Sequence, residues 1–435
     1  MPNIRSASLS LAAALLLGGA LAACEKDNPG YCGDDCPVDA SGIDAVQGCN
    51  DDPGVCNATQ TCLADVCVDC EANDNTESAQ CEDPAAPVCA ADHSCRACAA
   101  DSECDSGWCE AGTCIPSASI VYVHRNAPDD APCTLAAKCG TPNKAMTLVD
   151  ATRKYMQIDP DASSYLLPTT LMINKDVIIR GPGATLERTP DEIVMVTGGT
   201  VEIRGLAITG TLGGTTSDGI RCSNNAILKL RGVNIHDNED RGVESGGCTL
   251  DIERSRFSGN LASAVRVSNG RFEIRNSYFF RNGTVASVAG GLVLAPNATP
   301  NALEFNTIIR NTGDTGGGKA GGIVCTGSTA VTARNNLVYG SVNATREVDG
   351  SNCTHSYSVI GASNPPTGTM VRSMTPAELG LKNVAGTSLD DFHIDPNANP
   401  PSMLRGGADP VTPASVDYDG DPRTSPADIG ADEVP

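Results

Sequence analysis

The chain has 435 residues, with 30 Lys and Arg against 53 Asp and Glu, a formal net charge of -23, 45 Gly, 27 Pro, 21 Cys and only 3% aromatic residues. Such an acidic surface repels phosphates, which excludes nucleic acid as a partner. The length allows two or three domains, or fewer if one of them is elongated.

The N-terminal segment reads as an export signal: Arg5 is followed by a run from Ala7 to Ala23 that is apolar apart from Ser8 and Ser10. Leu21-Ala22-Ala23-Cys24 then resembles the lipobox of bacterial lipoproteins, against the plainer alternative of an ordinary secretory peptide. The resemblance implies a signal peptide over 1–23, a lipidated Cys24, an acylated tether over 24–31 and contact with a membrane through the lipid. Glu25, standing where an Asp would resemble an inner-membrane retention signal, points to an exported protein anchored at the outer membrane or cell surface.

Setting Cys24 aside leaves 20 cysteines, of which 14 fall between Cys32 and Cys114. The segment 32–116 reads as an acidic disulfide-rich module, because it has few large apolar residues and cross-links must stand in for burial. Between residues 25 and 117 there are 20 Asp and Glu against 2 Lys and Arg. The CxxC pairs Cys67/Cys70 and Cys95/Cys98 admit zinc or redox readings, but the surrounding cysteines are equally dense, and structural disulfides with a spacer or protein-contact role fit better.

From 118 to 435 the charges nearly balance, and a repeat of roughly 22 residues emerges. Val201-Glu202-Ile203-Arg204, Leu228-Lys229-Leu230-Arg231, Leu250-Asp251-Ile252-Glu253 and Phe272-Glu273-Ile274-Arg275 each alternate apolar with charged residues, as strands with one buried face do. A second family precedes them, beginning at Gly219, Gly242, Ala264, Gly291 and Gly322. Asn238, Asn260 and Asn282 recur at the same interval, with Asn311 as a fourth, and are expected to stack at one corner. A rung that cannot close its own apolar side must be covered by the rungs above and below it.

This pattern resembles the right-handed parallel beta-helix, the pectin-lyase-like fold, over 118–435. The expected fold class is therefore all-β: a right-handed parallel beta-helix solenoid with a C-terminal cap, preceded by a small disulfide-rich domain. The tail, with Phe392-His393, Asp417 to Arg423 and Asp428-Ile429-Gly430-Ala431, is similar to the ending of bacterial choice-of-anchor Q surface proteins. In such a coil Cys222 with Cys248, Cys325 with Cys353, and Cys133 with Cys139 are reasonable structural disulfides. No cofactor is required by the sequence. Calcium is the one ion suggested, by Asp417, Asp419 and Asp421, which could equally pair with Arg423 and cap the last rung.

Pectate and pectin lyases of this fold use an Arg or Lys base beside calcium-binding carboxylates, and galacturonase-like hydrolases use several Asp with a His. The densest comparable group here is His236, Asp237, Asp240 and Arg241, with Asp218 one coil earlier; Asp314 is a more distant candidate. A catalytic set would be Asp218 and Asp240 as the carboxylate pair with His236 near the leaving group. The Gly-His-Gly stretch of galacturonases is absent, however, and His236 and Asp237 are also explained as turn residues. The expectation is therefore a non-enzymatic surface lipoprotein serving structure, adhesion or weak recognition of a glycan or surface protein. The alternative is a polysaccharide-degrading enzyme, a glycoside hydrolase or lyase, acting on acidic or surface glycans.

Overall fold

The computed structural model describes residues 56, 60–64, 66–71, 75–188, 190–210, 217–314, 320–361, 365–383, 391–411 and 415–434. Cys24 and the tether lie outside them. The chain divides into two compact units, up to Ala97 and from Cys98 onward. No helix among the described residues is long and apolar enough to cross a membrane.

In the first unit Thr61–Leu63 and Val66–Val68 form an antiparallel hairpin, and Thr76–Glu77, Val88–Cys89 and Cys95–Arg96 form a small antiparallel sheet. The bridges Cys56–Cys67, Cys70–Cys89 and Cys81–Cys95 hold these short strands together. The members of each CxxC pair have different partners, since Cys98 is joined to Cys109. Strands of two or three residues bury too little to be stable alone, so the covalent links carry the fold.

The second unit is a right-handed parallel β-solenoid. Val201 lies directly beneath Leu228, Leu228 beneath Leu250, and Leu250 beneath Phe272. Ile179, Ile203, Leu230, Ile252, Ile274 and Leu303 make a parallel column, and all of these side chains are buried. A third run of three-residue strands, including Ala207–Thr209, Asn234–His236, Arg256–Ser258 and Tyr278–Phe280, closes each coil through Ile208, Ile235, Phe257 and Phe279. Phe257 and Phe279 stack with ring centroids 5.0 Å apart. The helix Pro142–Leu148, capped by Thr141, packs Ala145 and Met146 at the entrance of this core.

Asn238, Asn260, Asn282 and Asn311 are fully buried in a ladder: each Nδ2 donates to the next Oδ1 at 2.8, 2.8 and 3.0 Å, and that oxygen also accepts the preceding Asn backbone N–H. Along this ladder the turn of one coil is thus bonded by the Asn of the next. The bridges Cys133–Cys139, Cys222–Cys248 and Cys325–Cys353 lie in the coil and its entrance.

Two further pieces pack on the coil. Residues 98–116, tied by Cys98–Cys109 and Cys104–Cys114, bury Trp108 edge-on against Tyr155 and beneath the Arg180 guanidinium, 4.3 Å from the ring centre. Glu110 accepts two bonds from Arg204 at 2.6 and 2.9 Å, which hold its carboxyl below the ordinary range. The C-terminal segment lies along the outside of the third set of strands, where Phe392 meets Phe280 and Tyr418 meets Tyr278. Its knot is Arg423, which has no exposed side-chain surface, pairs with Glu433 at 3.2 Å, donates to Asn276 and sits 4.3 Å above the Phe305 ring.

Candidate functional site

Asp218 and Arg241 occupy equivalent corners of successive coils, immediately before Ile220–Ser223 and at the start of Arg241–Glu253. The backbone closes there because Gly219 and Gly242 are small: a Cβ at Gly219 would lie 2.8 Å from the Gly242 carbonyl oxygen, and one at Gly242 would lie 2.6 Å from that of Ala264. This close approach brings Asp218, Asp240 and Arg241 together. Arg241 Nη1 lies 2.6 Å from Asp240 Oδ2 and 3.4 Å from Asp218 Oδ1, and the Arg241 backbone N–H also donates to Asp218. The two carboxylate oxygens are therefore no farther apart than the sum of those two distances.

The neighbours are charged as well. Arg221 reaches Asp218 at 3.2 Å and Glu192 at 2.8 Å, while Glu244 pairs with Arg241 at 3.2 Å and accepts from the Ser268 hydroxyl at 2.7 Å. Arg221, Glu244 and Arg266 are in register on the outer face of three successive coils. Asp218 is fully buried, and loss of hydration pushes its carboxyl up to about 7; Arg241 opposes this and the Asp240 charge adds to it. Asp240, nearly buried, is raised for the same first reason. Two adjacent carboxyls raised by burial, one of them to about 7, suit proton transfer at physiological pH.

His236 does not join this pair through any hydrogen bond or ion pair among the described residues. It ends Asn234–His236 on the outer face, with Nδ1 2.8 Å from Asp237 and 3.3 Å from the Thr209 hydroxyl. The inward-turned Asn238 of the ladder stands between it and Asp240 along the chain. Glu192, Arg221, Glu244, Arg266 and Ser268 were missed from the sequence. The coil period could have placed three of them in one column, whereas Glu192 belongs to an earlier and less regular coil.

A second charged group lies under the C-terminal segment. One ligand atom each of His393, Asp419 and Asp432 lie within 4.8 Å of one another, so the group could hold a metal. His393 Nε2 is 2.9 Å from Asp419, and its Nδ1 is hydrogen-bonded to Asp391. Burial lifts the Asp432 carboxyl to about 6, although the Ile394 N–H donates to it. Burial, and then the charges of Asp432 and Asp419, push the Tyr278 hydroxyl well above its usual range. The nearby Asp417 is committed otherwise: Oδ1 accepts the N–H groups of Gly420 and Asp421, and Oδ2 accepts that of Glu433. Asp421 is exposed. A groove of ≈ 450 Å³ runs alongside, lined by Arg231, Glu253, Arg254, Val416, Tyr418 and Asp419. It follows the corner at Gly205 and Gly232, a different corner from that of Asp218 and Asp240.

The chain matches the family described as right handed beta helix region over residues 218–371. No curated protein matches it. Among solved structures it is similar to the crystal structure of pectate lyase Pel9A, with 14% identity and a TM-score of 0.45 over 74% of this chain and 100% of that one. The expectation of a non-enzymatic surface role is corrected by the site itself. A fully buried carboxyl raised to about 7 beside a second raised one, together with a His-Asp-Asp group that could hold a metal, favours an enzymatic role over a purely structural or adhesive one.

Proposed function

We propose that the protein is a polysaccharide-degrading enzyme, a glycoside hydrolase or lyase acting on acidic or surface glycans, with its reactive groups at the corner of Asp218, Asp240 and Arg241. The observation that carries this reading is the carboxyl pair on one guanidinium, with Asp218 raised to about 7. Asp240, at the surface side of the pair, meets the substrate. Asp218, out of water behind it, is poised to gain or lose its proton near neutral pH and so sets the charge beside Asp240. Arg221 and Arg266, both partly exposed, are placed to receive the carboxylates of a uronate-containing chain. A metal such as calcium fits an acidic-glycan enzyme as an activator, so the assay is run with and without it. In the same reading the enzyme lies outside the cell, anchored through a lipid on Cys24, with a disulfide-rich segment over 32–116, whose residues 98–116 pack on the coil, and an anchor-Q-like ending.

The test is incubation of the ectodomain with a panel of acidic polysaccharides, following reducing ends and the ultraviolet absorbance of unsaturated uronates, which appears only for a lyase. Asp240→Asn should lower the rate by about 10²-fold or more, the usual weight of a general acid or base. Wild-type protein that releases nothing from the panel, or a variant as active as wild type, refutes the proposal.

A further inference from the structure

Tyr278 lies in the strand Tyr278–Phe280, with only 4% of its surface exposed. Its hydroxyl has no hydrogen-bond partner among the described residues. A buried phenol normally finds one, since an unmade bond costs about 1–3 kcal/mol. Its ring is 4.6 Å from that of Tyr418 and 5.8 Å from that of His393, and the carboxylates that act on it most strongly are those of Asp432 and Asp419. The orphaned hydroxyl thus belongs to a buried side chain packed beside His393, one of the three residues that converge there.

The surroundings of His393 indicate which ligand would complete this group. Asp391 accepts from the Nδ1 side of the ring, which leaves Nε2 facing Asp419. A carboxylate behind a histidine is the usual way to fix the tautomer of a metal ligand and raise its basicity. Asp432 is nearly buried and accepts the Ile394 N–H at 2.6 Å, with His393 as the imidazole beside it. One imidazole nitrogen with two carboxylate oxygens is a donor set for zinc or a similar first-row divalent ion, whereas calcium and magnesium take oxygen ligands.

We infer that His393, Asp419 and Asp432, with the Tyr278 hydroxyl as a further oxygen donor, form a site for a divalent cation of the zinc class that fastens three stretches of the C-terminal segment to each other and to the coil. The cation would join residues near 393, 419 and 432 with a strand more than a hundred positions earlier in the chain. This inference is independent of the chemistry at Asp218 and Asp240.

The experiment uses the full ectodomain, stripped with chelator and dialysed against zinc or calcium, with bound metal measured by elemental analysis and the thermal midpoint recorded. Wild type should retain one more equivalent of zinc than His393→Ala or Asp419→Asn and show a zinc-dependent rise in midpoint that both variants lack. Because Asp419 is exposed, its variant keeps the test valid if His393→Ala misfolds. Tyr278→Phe should weaken zinc binding roughly tenfold or more, at the lower edge of what removing a supporting group does. Equal zinc in wild type and Asp419→Asn, or a site that takes calcium in preference to zinc, overturns the inference.

Discussion

Replacing Asp218 by Asn should remove a specific part of the pH dependence of folding. The carboxyl titrates at about 7 in the folded protein against an ordinary 3.8, so between those values the folded state holds a proton that the unfolded state has released. Stability then falls as pH rises, by about 1.4 kcal/mol per pH unit, and the effect is complete once pH passes the folded value. From pH 5 to pH 8 wild type should therefore lose about 3 kcal/mol through this one group, most of it below pH 7. The Asn variant cannot lose it. Other raised carboxyls, such as Asp432 and Asp428, are present in both proteins and cancel in the comparison. The assay is urea unfolding followed by β-sheet circular dichroism at pH 5, 6, 7 and 8. The absolute stability of the variant is not the readout, because Arg221 and Arg241 lose a charged partner whatever the pH. If the difference between the two proteins stays constant within about 0.5 kcal/mol over that range, Asp218 is ionised in the folded state and the reasoning fails.

Two further substitutions test the frame that positions the site. Asn260→Ala removes the acceptor for both the backbone N–H and the Nδ2 of Asn238, and the donor to Ile235 and Asn282, all fully buried; a loss of about 3–4 kcal/mol in urea unfolding is expected, and a loss under about 1 kcal/mol would refute the ladder. Arg423→Met leaves the buried Glu433 carboxylate without its counter-ion and takes a donor from the carbonyls of Gly430 and Ala431, at a cost of about 3–5 kcal/mol for the broken buried pair, and should speed trypsin cleavage after the exposed Arg405; a C-terminal segment as resistant as wild type counts against Arg423 as its knot.

The coil was legible because its physics repeats. A column such as Val201, Leu228, Leu250 and Phe272 must return at the coil period or the core opens, and the Asn trio must return with it, because each amide is satisfied only by the next. Where residue type or period drifts, the pattern disappears from the sequence although the structure continues. Ser255, Ser277, Asn306, Asn336 and Ser358 form a second buried ladder with hydroxyls and amides exchanged, and coils lengthened from 22 to about 30 residues hide it. The strands of the third set have only three residues, too few to display alternation. The outward aromatics Tyr278 and Phe280 made no sense for a solvent face; they are covered by Tyr418 and Phe392, from a segment with no repeat of its own. In the same way Trp108 and Glu110 find Arg180 and Arg204 across a separation that spacing cannot encode.

The site was legible in part, for a reason that also indicates where chemistry can reside on such a coil. Glu202, Lys229, Asp251 and Glu273 stack on the outer face, with Arg204, Arg231, Glu253 and Arg275 in the next column. Those side chains keep much of their hydration, and exposed pairs of this kind contribute only about 0–1 kcal/mol each. Asp218 and Asp240 are the same residue types at a corner where Gly219 and Gly242 let the backbones close over them, and the water is gone. Composition and period reveal both sets equally well. What separates a solvated ion pair from a carboxyl that holds its proton at pH 7 is the missing hydration, and that is a property of the packed corner alone. His236 shows the converse, since it is four residues from Asp240 in sequence but is turned onto another face by the buried Asn238 between them.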